Sequence, residues 1–284
     1  MPTRIAVGRA RVVREVRAAE PLAERLRAPL TARPPWLTAV LVVQAARRLP
    51  GRPVAVVVGG DLDAAPRAAA FLWLRRRGLG TAVTLLGDGV GPVPGGRPHA
   101  RLLAADDDAA AFLADGIADL LGTLRGTWSL RLAGLPLGDP TARRLAARFR
   151  GGALATARTG RLVDELGDEG VARSRDPREL ERWLPALLAR VPDARSRTFV
   201  RSAARVHAAA GRLELAVTQD AGGELRDGLL TLVDGEDRWA WWSTAALAVE
   251  MGAPAATLTV PPRRLLPAPD AMRWLRVSGR GAGR

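Results

Sequence analysis

The chain has 284 residues, 48% of them apolar, a net charge of +14 and no Cys. That length and apolar share suit one large domain or two small ones with a real core, and leave long disorder only for the ends. The missing Cys excludes disulfides, thiolate-held zinc, iron–sulfur clusters and a thiol nucleophile.

All 43 basic residues are Arg; Lys, Asn and Tyr are absent, and Ile occurs only at Ile5 and Ile117. The pattern is that of a GC-rich coding sequence, with Arg standing in for Lys. The charge still attracts polyanions and anionic cofactors. The Arg residues are spread along the chain, however, and stacking aromatics are few, which argues against a dedicated nucleic-acid surface. Arg4, Arg9, Arg11, Arg14 and Arg17 interrupt the start of the chain, so no secretory signal is expected there. No apolar run approaches the roughly 18 residues of a spanning helix. A cytoplasmic location is the expectation.

In chain order, residues 4–17 read as an early strand. Pro34-Pro35 pre-sets a helix that runs to about Arg48. Val54–Val58 is a buried strand closed by Gly59-Gly60-Asp61, and Ala68–Arg75 and Thr81–Leu86 continue a β-meander around Gly78-Leu79-Gly80. Gly91–Pro98 is a Gly/Pro loop. Asp106-Asp107-Asp108 opens a long helix to about Leu124, since acidic side chains cap free N–H groups and oppose the helix dipole. Trp128–Leu132 alternates as a strand, Asp139-Pro140 begins a helix to about Arg148, and 154–166 contains another strand.

The polar stretch 167–175 separates two halves. Asp176-Pro177 opens a helix whose Leu180, Trp183, Leu184, Leu187 and Leu188 share one apolar face. A second helix spans about 193–210. Strands at 213–218, 229–233 and 238–242 form a hairpin series, followed by a short helix near 245–251 and a strand at 255–260. The Pro- and Gly-rich tail from 263 is expected to be loose. The units are thus 1–166, a linker at 167–175, 176–262 and a tail at 263–284.

Helix pair, three antiparallel strands, helix and strand is an order that occurs twice. With Pro35-Trp36-Leu37, the strand Ala70–Arg77 ending in basic residues, Leu85-Leu86-Gly87-Asp88-Gly89, Trp128–Gly134, Arg205-Val206-His207 and Gly211-Arg212-Leu213, the chain resembles the GNAT-like acyltransferases of the FemAB and cellulose-biosynthesis (CelD) type over about residues 35–260. The resemblance implies an α/β (α+β) fold of two tandem GNAT-like halves, each a mostly antiparallel sheet flanked by helices. Only about eight residues separate Ser243 from Gly252, where the family has a long helix, so the C-terminal half is shortened.

Several residues could carry chemistry. Arg75, Gly78 and Gly80 fit the family's pyrophosphate turn, in which backbone N–H groups bind phosphate; without a following helix they form a basic hairpin turn. His207 is a candidate general base, or a buried histidine near a helix C-terminus; His99 lies in the Gly/Pro loop. Glu214 and Glu250 are candidate carboxylate bases, with Glu214 otherwise on a solvated strand face. Asp106–Asp108 cap a helix more readily than they converge on a metal. Trp239 and Trp241 alternate against Trp242; the three line a substrate cleft or pack a core.

The resemblance implies an N-acyltransferase that takes acetyl-CoA or another acyl-CoA as co-substrate, without a metal. The acceptor would be a small-molecule, peptide or glycan amine. An aminoacyl-tRNA donor is the family's other option and would use the positive charge. A non-catalytic GNAT-fold binding or scaffold protein, or a basic nucleic-acid-binding protein, are the alternative readings.

Overall fold

Val12 and Val16 lie one helical turn apart among arginines, and both are buried. In the computed structural model, which describes residues 1–46, 51–59, 65–166 and 170–262, that spacing produces a helix where a strand was expected. Only β1 (Thr3–Val7) is extended, and α1 (Arg9–Ala18) follows it. The expectation of a strand to residue 17 is thereby corrected: a helix turns Val12 and Val16 to the same side, Arg14 between them is exposed, and Glu15 is buried against Arg4.

The next elements are α2 (Glu20–Arg25), a single 3-10 turn at Leu30–Ala32, and α3 (Pro34–Ala46). Three strands follow, β2 (Arg52–Val58), β3 (Ala68–Arg77) and β4 (Gly80–Leu85), paired antiparallel as a meander. After a loop come β5 (Leu103–Ala104), α4 (Asp107–Gly122), β6 (Trp128–Leu135), α5 (Pro140–Arg148) and β7 (Ala153–Leu162). The remaining elements are β8 (Val171–Ser174), α6 (Pro177–Ala189), α7 (Ala194–Ala209), β9 (Leu213–Gln219), β10 (Leu225–Asp234), β11 (Asp237–Ser243) and β12 (Val249–Val260).

The fold is mixed α/β with two sheets. The larger has the order β1-β2-β3-β4-β6-β12-β7, with β5 paired to the start of β3. The smaller has the order β11-β10-β9-β8. Among the described residues every pairing is antiparallel except β4 with β6, which run parallel over Thr81–Thr84 and Trp128–Arg131. Beyond that stretch the two strands part. The chain leaves β4 after Leu85, while β6 runs on to Leu135.

β2 is apolar without alternation because both its faces are covered. Val54, Val56 and Val58 pack with Leu113 and Ile117 of α4 in one core. Ala55 and Val57 face a second core with α1, α3, α6 and α7. That second core also holds Leu213, Leu230 and Trp241 of the smaller sheet, so both sheets meet around one apolar centre. Trp36 of α3 meets Phe199 of α7 edge-on at 5.0 Å and Trp241 at 5.5 Å. The Arg33 guanidinium, 6% exposed, makes a two-pronged pair with Asp234 at 3.1 and 2.6 Å and donates from Nε to the Ala28 carbonyl at 2.8 Å.

Two expectations near the C-terminus change. No helix forms at 245–251; Val249, Glu250 and Met251 pair with Leu162, Arg161 and Gly160 of β7. The strand expected at 255–260 is the end of the twelve-residue β12, which pairs between β6 and β7 of the larger sheet and not with the smaller one. The polar stretch 167–175 includes β8, the edge of the smaller sheet; residues 167–169 and the tail from 263 lie outside the described residues.

Candidate active site

Where β4 and β6 part, the gap is occupied by the loop 86–102. Its glycines let it lie directly on strand backbone: Gly95 sits so close to the Gly160 carbonyl that a Cβ there would overlap it. Gly96 N–H bonds the Thr159 hydroxyl at 3.0 Å, and Ala253 N–H bonds the Gly96 carbonyl at 2.8 Å. At the loop's far end Ala100 N–H bonds the Gly134 carbonyl of β6 at 3.0 Å. The Thr31 hydroxyl donates to the His99 carbonyl. Both ends of the loop are thus tied down, and His99 is held half-buried.

The His99 ring rests on Gly134, whose φ is +75°. A Cβ at that position would collide with the imidazole. Glycine here serves two needs at once, a left-handed backbone and room for the ring.

A cavity of about 300 Å³ opens between the parted strands, lined by Trp36, Leu85, Leu86 and Ala133 and by the polar groups of His99 and Asp88. Burial lowers the His99 pKa below its ordinary value; Asp88 opposes that shift and Arg131 reinforces it. The imidazole is therefore neutral near pH 7 and offers a lone pair to a proton. Arg131 pairs with Asp88 at 2.8 Å, and both residues also line a second cavity of about 410 Å³. This second cavity lies over the β3–β4–β6 face, with Arg75, Arg77 and Arg195 on its walls.

The residues singled out from the sequence do not converge on one place. Arg75 reaches the larger cavity. Gly78 and Gly80 form the β3–β4 hairpin turn, and a strand follows instead of a helix. The Thr81 N–H is already bonded to the Thr127 carbonyl at 2.9 Å, and Gly80 is small because Thr127 lies against it. With a strand after it, the turn offers no helix N-terminus to a phosphate.

His207 lies on α7, fully buried, 6.0 Å from Trp36 ring to ring, and lines neither cavity. Its two ring nitrogens have no hydrogen-bond partner among the described residues. Burial, with the Arg212 charge behind it, lowers its pKa to about 4. Glu214 is buried on β9, not solvated as alternation predicts, because Arg238 forks onto it (Nη1 to Oε2, 2.7 Å) and Arg173 and Arg175 stand 3.5 Å away. Burial pushes the Glu214 pKa up, but these guanidiniums outweigh it and leave the carboxyl below its ordinary value. Glu250 is exposed on β12.

The three tryptophans of β11 also depart from simple alternation. A bulge falls where Ala240 faces Thr231 and Trp242 faces Leu230, leaving Trp241 without a partner residue on β10. The extra residue lets all three rings reach the same core. Trp241 is buried and its indole N–H bonds the Pro92 carbonyl of the loop at 2.9 Å. Trp239 is half-buried, with the Arg97 guanidinium 4.5 Å above its ring. The cluster supports the loop from below instead of lining the main cavities.

No protein-family model matches the chain, and no curated protein matches it. Among solved structures, the chain is similar to a GCN5-related N-acetyltransferase from Sphaerobacter thermophilus, at 14% identity over 92% of this chain and 96% of that one, with a TM-score of 0.31. It is also similar to a tandem GNAT protein from the clavulanic acid biosynthesis pathway, at 16% identity over 83% and 76% of the two chains, with a TM-score of 0.31.

Asp106 caps α4 by accepting from the Ala109 N–H at 2.8 Å and pairs with Arg67. Among the described residues, no three His, Asp or Glu side chains are grouped to hold a metal ion. No helix among them is long and apolar enough to cross a membrane. The residue the sequence reading passed over is His99. Its one signal was the Gly/Pro loop around it, which is how a chain brings a side chain onto a strand backbone without a regular element.

Proposed function

We propose that the chain is an N-acyltransferase that moves an acyl group from a coenzyme A thioester to an amine. The observation that carries this reading is the neutral, half-buried His99 in the cavity where the parallel strands β4 and β6 part. The apolar walls around Trp36, Leu85 and Leu86 suit an acyl chain, and a neutral imidazole suits an amine that must lose a proton.

In the proposed step the amine nitrogen attacks the thioester carbonyl carbon, the C–N bond forms and the C–S bond breaks. His99 takes the amine proton and returns it to the departing thiolate, which leaves as the free thiol. Holding both partners in one cavity supplies much of the acceleration. His99 takes the base role in this reading in place of His207 and Glu214. Of the expected coenzyme contacts, Arg75 alone lines a cavity, the second one and not that of His99. The acceptor class is a small-molecule or peptide amine, and a cytoplasmic location remains part of the proposal.

The test is thiol release from acetyl-CoA against an amine panel, with wild type and His99→Ala. Wild type is expected to turn over, and the variant to lose about 10²- to 10⁴-fold in kcat, the span of a general base. Turnover that survives His99→Ala refutes the role of His99. Wild type that binds acetyl-CoA but transfers nothing refutes the enzyme and favours a binding protein.

A further inference from the structure

The second cavity contains polar groups that the acyl-transfer step does not use. Gln44 of α3 is 5% exposed and lines it, and its side-chain oxygen has no hydrogen-bond partner among the described residues. Arg195 of α7 lines it from another side; its Nη2 donates to the Gly89 carbonyl, but its buried Nε has no partner among the described residues. A buried donor and a buried acceptor left unpaired in one cavity each carry a desolvation penalty that a ligand would remove.

The charge around them is one-sided. Arg75, Arg77, Arg131 and Arg195 face a single carboxylate, Asp88, which is already paired with Arg131. Neither Arg75 nor Arg77 has a carboxylate partner among the described residues. Both stand on β3 at alternate positions with Trp73, so they share the face that the cavity covers, while Arg76 points to the opposite face. Ser129 and Thr84 add hydroxyls to the same wall.

We propose that this cavity is an oxyanion site. It takes a carboxylate or phosphate on Arg75, Arg77 and Arg195, in a molecule that also presents an N–H or O–H to Gln44. Guanidiniums bind both oxyanions through charge-assisted, often two-pronged hydrogen bonds. Asp88, Gly89 and Arg131 line both cavities, so this site adjoins the His99 cavity. As a statement about substrate class, the assignment rests on the acyltransferase reading. As a binding site it does not, and binding is measured without turnover.

The experiment is titration calorimetry at about 0.15 M salt, where long-range attraction to the +14 chain is largely screened. The probes are inorganic phosphate for a phosphate source and glutamate for a carboxylate source. One of the two is expected to bind at one site per chain, and which one does so names the source. Arg75→Gln and Arg77→Gln are each expected to weaken that binding by about tenfold or more, and Gln44→Leu by about fivefold. Arg76→Gln removes the same charge from the other face and is expected to leave binding unchanged.

Binding of neither probe overturns the proposal. So does an Arg76→Gln loss equal to that of Arg75→Gln, which would mark attraction to the overall charge. Acyl transfer without probe binding overturns the oxyanion site alone, whereas probe binding without acyl transfer upholds the site and refutes the enzyme reading.

Discussion

His207→Leu is expected to flatten the acid side of the stability profile. The folded-state pKa of about 4 lies below the ordinary 6.5, so the unfolded chain binds the extra proton more readily between those values. The stability tied to the neutral ring is therefore fully present above about pH 6.5, falls as pH drops, and stops falling below about pH 4. With these two values, the loss between pH 8 and pH 5 is about 2 kcal/mol from this one residue. Leucine has a similar size, removes two buried nitrogens that lack partners, and gives up the edge contact with Trp36. Urea unfolding of wild type and variant at pH 8 and pH 5 provides the assay. His99 and the carboxylates titrate in both proteins and cancel in the difference. The wild type should lose about 2 kcal/mol more than the variant over that range. Equal losses would mean that the ring takes up its proton in the folded protein, and the reasoning from burial would fail.

Gly134→Ala should displace His99 from β6 and lower acyl transfer as His99→Ala does, with a further destabilisation of about 1 kcal/mol from the left-handed backbone; transfer at the wild-type rate would show that the ring does not depend on its glycine floor. Asp234→Ala leaves the buried Arg33 guanidinium with only its bond to the Ala28 carbonyl, and a loss of about 3 kcal/mol is expected in urea unfolding, at the lower end for a broken buried pair because Asp234 is partly exposed. Asp139→Ala removes the cap on the Ala142 N–H of α5 and should lower stability by about 1 kcal/mol. A larger loss would show that Asp139 does more than cap the helix.

Much of the architecture was legible in the chain itself, because each signal acts over a few residues. Asp106, Asp139, Asp176 and Asp193 cap the helices that the sequence opened at those points. Leu180, Trp183, Leu184, Leu187 and Leu188 read as one face and are buried as one. The meander at 54–86 and the hairpin series at 213–242 follow from β-branched and apolar runs broken by glycine. The misread of 9–18 came from its start, where a short strand and a helix with the same Val and Arg content adjoin.

The site was not legible, because it depends on contacts between residues far apart in sequence. A histidine on an apparent helix face looked like the better base, yet it is fully buried beside Trp36 and lines neither main cavity. A carboxylate expected in solvent became buried once three arginines from other segments reached it. The sequence alone determined most of the helices and strands, though not those at 9–18 and 245–251, that thiol and disulfide chemistry are excluded, and that anions are attracted. Only the tertiary structure decided that β4 and β6 run parallel and then part, that a Gly/Pro loop carries His99 into the gap, and that the Gln44 oxygen and the Arg195 Nε have no partner among the described residues in one cavity. Local propensity is set within a few neighbours along the chain, whereas solvation and charge pairing depend on whatever the fold brings alongside.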